Sequence, residues 1–460
     1  MPEPDQIEGY ILDRGGMVIN VKHPRFLGGA RGKAHIPNEN VDDAPAINAA
    51  LAEARKTGEY GSGVTGAIVY FPPGVYRVDT PLDCNLRQFN LLGAGSHQTV
   101  IRGNTGDRSA IIEMVAGGHS SIRGMLLETR DQPEPSSVGV LYGRDQFGRQ
   151  SLMMSLEDVS IRLRSNPNAN IVAEGGVIQE SGTIGIYNVG VEGFSVHNCF
   201  VLADTACFFG TENSYGIEVS HDHDIPQLDP TKPLVPMTMM GAGASMTVVT
   251  FSGANWLTGM FGPSVRIDGG ADFIIDAHLN NDSPQPENAY PYAIDVRAQV
   301  TNLEYRGSME TYQSVMRVAS VVRGLRLHAY THSMGVLWKH PNGATVPGPP
   351  RVYLDGGTLR DSTLQVVPTP GTIDEIDPNT QVEYGRGYLI RTSAAGGAVA
   401  GCQIFLRKHR IDMGSGSLRG NVILVETDLN DPGYGSLPRL AAASHGGNLI
   451  IAPDQVSTGW

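Results

Sequence analysis

The sequence predicts an all-β chain wound as a single-stranded parallel β-helix, with one helix near its start. Three observations carry that prediction. Gly (57) and Pro (29) make up about a fifth of the 460 residues and only 18% are charged, a balance that suits strands joined by many turns. Short β-rich runs with similar internal order recur with starts roughly 20 to 40 residues apart, the length of a coil of three short strands and their turns. Only one segment reads clearly as a helix.

Met17–Val21 (Met-Val-Ile-Asn-Val) reads as an opening strand. Val41-Asp42-Asp43-Ala44-Pro45 then opens the helix. An aspartate is placed to cap it, Pro45 suits its first turn, and Ile47, Ala50, Leu51 and Ala54 fall on one face. After a Gly-rich loop, Ala67–Tyr76 gives a strand, a Pro-Pro-Gly turn and a second strand. The later β-rich runs are Ser195–His197, Gly216–Val219, Asp272–His278, Asn302–Arg306, Gly324–His328 and Thr363–Val366. Coils of this kind need only their neighbours, so one solenoid accommodates the length. A β-sandwich with long loops is the alternative. The expected organisation is residues 1–66 as strand and helix, then 67–460 as the β-helix. Polar, Pro-rich segments near 222–244, 280–291 and 340–350 should project from it.

An early strand, a helix opened by Asp42-Asp43, and a strand ending in Phe71-Pro72-Pro73-Gly74-Val75-Tyr76 together resemble the opening of pectate-lyase-like right-handed β-helix proteins. The resemblance runs over 17–127, through Leu91-Leu92-Gly93-Ala94-Gly95 and Ser121–Glu128, and is only a general pattern beyond. That superfamily includes polysaccharide lyases, glycoside hydrolases, inulin fructotransferases and phage tailspikes. The resemblance implies an enzyme that cleaves a poly- or oligosaccharide, with elimination and hydrolysis or transfer both open. The alternative is a non-catalytic glycan-binding adhesin or tailspike-like protein. It also implies a homotrimer, and an N-terminal helix, within residues 1–66, that caps one end of the solenoid. Ser195–Asn198 through Ile217 resembles the stretch holding the acid pair of inulin fructotransferases, but Asn198 and Phe209 stand where those acids belong, so that chemistry is not carried over.

Charge and composition narrow the classes further. Net charge is −13 with no basic run, which argues against nucleic acid as a partner. No apolar stretch reaches transmembrane length, so no membrane partner is expected, and the N-terminus reads as lacking a signal peptide, leaving location unassigned. The four cysteines lie in or beside apolar runs and read as reduced core thiols.

In a parallel coil, outward residues of successive rungs stack about 4.8 Å apart. Taking Ile217, Ile275, Leu303 and Leu325 as equivalent inward positions puts Glu218, Asp276, Glu304 and Arg326 in one outward column. Ser220, His278, Arg306 and His328 then form a second. Catalytic roles are expected for Asp276, Glu304, Arg306, Arg326 and His328. Asp276 with Glu304 would make a hydrolase acid pair, whereas Arg306 or Arg326 would hold a uronate carboxylate while a histidine takes the C5 proton. The bland alternative is a solvated β-face bearing charge pairs. Glu218, His278, Tyr290, Tyr292 and Trp338 are expected to bind substrate, the aromatics by stacking on sugar. No cofactor is expected, although His221, Asp222 and Asp224 leave room for Ca2+ against the plainer reading of a solvated loop. His197, Cys199 and Cys207 lack a fourth zinc ligand, and Gly93-Ala94-Gly95 lacks the third glycine of a nucleotide loop.

Overall fold

The computed structural model describes residues 18–55, 67–145, 151–164, 182–219, 246–281, 290–310, 314–332, 350–368, 388–406, 410–425 and 444–452, apart from positions 37, 40, 87, 212, 216 and 218, together with a few short strand pieces between these stretches. The chain falls into two compact units, Met1–Asn166 with Gly182–Asn255, and Pro167–Ser181 with Trp256–Trp460.

In the first unit three parallel ladders run side by side. One joins Val18–Asn20, Ile68–Phe71, Asn90–Gly93, Ser121–Arg123, Ser151–Glu157, Val191–His197 and Thr247–Ser252. A second joins Gly74–Val78, Thr99–Gly103, Leu126–Glu128, Ser160–Arg162 and Phe200–Ala203. The third joins Leu82–Asp83, Ala110–Val115, Val138–Asp145, Ile184–Val189 and Thr205–Gly210. Each coil therefore supplies one strand to each of three faces, which is the architecture of a parallel β-helix. The interior is filled by stacked large side chains: the Tyr142, Phe194, Phe209 and Phe251 rings contact one another in series at 5.0, 6.0 and 5.9 Å. Phe209 is fully buried there, consistent with its absence from any acid pair.

The helix Ala44–Arg55 closes the first coil with the face expected: Ile47, Ala50, Leu51 and Ala54 are buried. Asp43 caps it through its carbonyl, which accepts from Ile47 N at 3.0 Å. Its carboxylate turns back to accept from Arg31 N (2.6 Å) and Gly32 N (3.0 Å). Burial pushes this carboxyl above its usual range, with the two backbone hydrogen bonds opposing.

The second unit repeats the plan. One face carries Gly270–Asp276, Val300–Glu310, Val321–Arg323, Thr358–Arg360, Ala398–Ala400, Ser417–Arg419 and Ser444–Gly446. The next carries Trp256–Gly259, His278–Asn281, the end of Val300–Glu310, Arg326–His332, Thr363–Pro368, Gln403–Leu406, Val422–Val425 and Leu449–Ala452. Turns are knit by polar stacks. Asn421 Oδ1 accepts from Cys402 N at 2.9 Å, and Asn448 Oδ1 accepts from Asn421 N at 3.0 Å, so each buried asparagine satisfies backbone a coil away. Cys84, Cys199, Cys207 and Cys402 are all buried and unbridged.

Candidate functional site

The outward columns exist in the second unit, but their register differs from the one expected by two residues on one rung. Glu304 lies opposite Ile274 and Arg326, while Arg306 lies opposite Asp276 and His328. The columns are therefore Ile274–Glu304–Arg326–Thr363 and Asp276–Arg306–His328–Gln365. Leu303 and Leu325 are buried equivalents as assumed, but their partner on the preceding rung is Phe273 rather than Ile275. A slip of two keeps every side chain on its face, so Asp276 remains exposed yet leaves the Glu304 column.

The consequence is electrostatic. Instead of two acids stacked on neighbouring rungs, acid and base alternate. Arg306 Nε donates to Glu304 Oε1 at 2.5 Å, and Arg326 Nη1 stands 3.9 Å from Glu304 Oε2. The hydrogen bond to Glu304 and its charge raise the Arg306 guanidinium above its ordinary value. Beside them His328 Nε2 and the Tyr330 hydroxyl are hydrogen-bonded at 3.0 Å. These groups share one groove of about 460 Å³, lined by Glu304, Arg306, Arg326, His328, Tyr330 and Gln365 among others. Among its described lining residues Glu304 is the single carboxylate.

A third column flanks the groove. Trp256 lies opposite His278, His278 Nδ1 meets Ser308 Oγ at 2.6 Å, and Ser308 lies opposite Tyr330. His278 Nε2 is 3.6 Å from Glu310 Oε2, and its ring packs on Trp256 with centroids 4.2 Å apart. His278 thus sits next to the groove, bonded to Ser308 and packed on Trp256.

Two of the three expected stacking aromatics are corrected. Tyr290 and Tyr292 are 2% and 0% exposed, so neither offers a ring face to a sugar. Tyr290 donates to the buried Asp295 carboxylate at 2.5 Å, and Tyr292 packs against Tyr353 with centroids 5.7 Å apart. Trp338 belongs to a short antiparallel pair with Thr345–Val346, and its side chain lies outside the described residues. Glu218, Ser220, His221, Asp222 and Asp224 also lie outside them, as do most of the three projecting segments. Among the described residues no cluster of three metal-ligating side chains occurs. Tyr330, Trp256 and Ser308 were missed from sequence. Tyr330 was within reach, two residues past His328 on the same outward alternation; Trp256 and Ser308 required the pairing.

The ladders and outward site place the chain among the parallel β-helix proteins. Residues 35–123 match the family described as rhamnogalacturonase A/epimerase, pectate lyase-like, so the pectate-lyase-like resemblance holds over the opening of the chain. No curated protein matches the sequence. Solved structures that it resembles include the A-module of a mannuronan C-5 epimerase from Azotobacter vinelandii (15% identity, 92% of this chain and 99% of that one, TM-score 0.43). Another is a DFA-IIIase from Arthrobacter chlorophenolicus A6 (11%, 95% and 93%, 0.49). A third is a tailspike of an Acinetobacter phage (11%, 96% and 64%, 0.46). These likenesses are of fold alone.

Proposed function

We propose that the groove of the second unit binds a uronic-acid-containing oligosaccharide and breaks it by β-elimination. The observation that carries this reading is the company kept in the groove: two arginines, a hydrogen-bonded His328–Tyr330 pair, and Glu304 already engaged by Arg306. A hydrolase needs a second carboxyl group across the bond to be cleaved, and among the groove's described lining residues Glu304 is the single carboxylate. Arg326, the more exposed guanidinium, is suited to pair with a substrate carboxylate, with Arg306 held beside it by Glu304. Neutralising that carboxylate acidifies the C5 proton. The His328–Tyr330 pair then accepts the proton, the C5–H electrons form the C4=C5 double bond, and the C4–O bond breaks. A proton from the same pair or from water completes the leaving hydroxyl, so no water is consumed.

The test is incubation with polygalacturonate and polymannuronate, following both ultraviolet absorbance and reducing ends. Unsaturated product is expected from the wild type and is lost in His328→Ala and Arg326→Ala. Reducing ends without that absorbance would assign hydrolysis instead. Solvent deuterium entering C5 without cleavage would assign epimerisation, and binding with no product an adhesin.

A further inference from the structure

The large apolar side chains exposed in the second unit, among its described residues, are Trp256, Ile274 and Tyr330, at 41%, 40% and 45%. All three stand on the outward columns at or beside the charged groove. Exposed apolar side chains rimmed by charged and polar groups on one face mark it as a candidate binding face. Two of the three are aromatic, and both occupy one column, Trp256–His278–Ser308–Tyr330.

Each ring is supported by a histidine. His278 packs on Trp256 at 4.2 Å and is itself anchored by Ser308 Oγ. His328 packs on Tyr330 at 5.1 Å and shares a hydrogen bond with its hydroxyl. Side chains held this way lose less freedom when a ligand arrives, which favours binding.

We infer that this column is a saccharide track: Trp256 and Tyr330 are stacking platforms at its two ends, and a uronate chain lies along the stacking direction of the coils. Three rung steps separate the platforms, roughly 14 Å at the spacing of parallel strands. Each step is close to the length of one pyranose in an extended chain, so an oligosaccharide in contact with both rings spans about four sugars at that spacing. Sugar fits the face better than a second protein copy does. Arg326, the more exposed of the two guanidiniums beside the track, can pair with a uronate carboxylate, and Glu304, Asp276 and Glu310 stand around it as acids, whereas a second copy of this strongly acidic chain brings further like charge. The inference deepens the proposed function and rests on its substrate class, although not on elimination as the chemistry.

The test is calorimetric titration of the full chain with oligogalacturonates and oligomannuronates of two to six residues, for wild type, Trp256→Ala and Trp256→Phe. Affinity is expected to rise with length until about four sugars and then level. In Trp256→Ala the ratio of hexamer to dimer affinity falls about tenfold, equivalent to ~1.4 kcal/mol, and Trp256→Phe restores most of it. A purely structural role would weaken all lengths alike and leave that ratio unmoved, which would overturn the track. Absence of binding at every length would overturn it too, as would a wild-type oligomer that sediments as monomer once Trp256 is removed. Length-dependent binding without unsaturated product would sink only the elimination reading.

Discussion

Gly307 is where fold and site can be disturbed by a single methyl group. It lies between Arg306 and Ser308 with φ at +152°, outside the range that side-chain-bearing residues adopt readily. A Cβ there would stand 2.0 Å from the carbonyl oxygen of Ala277 on the adjacent coil. That oxygen is backbone and has little room to retreat: Ala277 N donates to Arg306 O at 3.2 Å, and the buried Tyr305 hydroxyl reaches Ala277 O at 3.4 Å. Gly307→Ala therefore incurs the cost of a forbidden backbone angle, about 1–3 kcal/mol, and a comparable ~1–3 kcal/mol for overpacking. A loss of roughly 2–4 kcal/mol is expected, since one backbone shift relieves part of both. The same shift parts the coils at Arg306 and Ser308, moving the groove and its flanking column together. Urea unfolding followed by circular dichroism should show an earlier midpoint, and oligouronate affinity should fall in the protein that remains folded. An unchanged midpoint with unchanged affinity would refute the close approach of these two strands.

Three further outcomes follow from other parts of the molecule. Glu304→Gln removes the carboxylate that holds Arg306, so turnover of polyuronate is expected to drop at least about tenfold through mispositioning. The circular dichroism spectrum should stay that of the wild type, because the site faces solvent; near-normal turnover would remove Glu304 from the site. Asp43 has a carboxyl pushed up by burial, so the folded state binds its proton more tightly than the unfolded chain does. Its contribution to stability therefore increases as pH falls through the window above the unfolded carboxylate value, and Asp43→Asn should make acid unfolding steeper, as read from midpoints between pH ~4 and ~6. Burial raises the thiols of Cys84 and Cys207 and pushes Cys199 up to about 11. A thiol reagent at neutral pH should label none of the four cysteines until denaturant is added, and rapid labelling of the native protein would contradict their placement.

The sequence alone determined the class of fold, the capping helix and, within the runs 272–278, 302–306 and 324–328, the side of the sheet on which each residue stands. These are local: alternation has a period of two, and the Asp42-Asp43 start with apolar residues at helical spacing can be read without knowing what lies opposite. It correctly set Glu304, Arg306, Arg326 and His328 facing outward and close together. It could not determine which rung residue faces which. Thirty residues separate Asp276 from its partner Arg306, but only twenty-two separate Glu304 from Arg326, because the intervening turns differ in length. Assuming one register moved Asp276 into the wrong column. The same blindness made Tyr290 and Tyr292 look like surface platforms, although Tyr290 reaches the buried carboxylate of Asp295 and Tyr292 stacks on Tyr353. Trp256 gained its meaning only when the coils stacked and set it in line with Tyr330. Facing is encoded within one strand, whereas neighbourhood is decided by the loops that bring distant strands together.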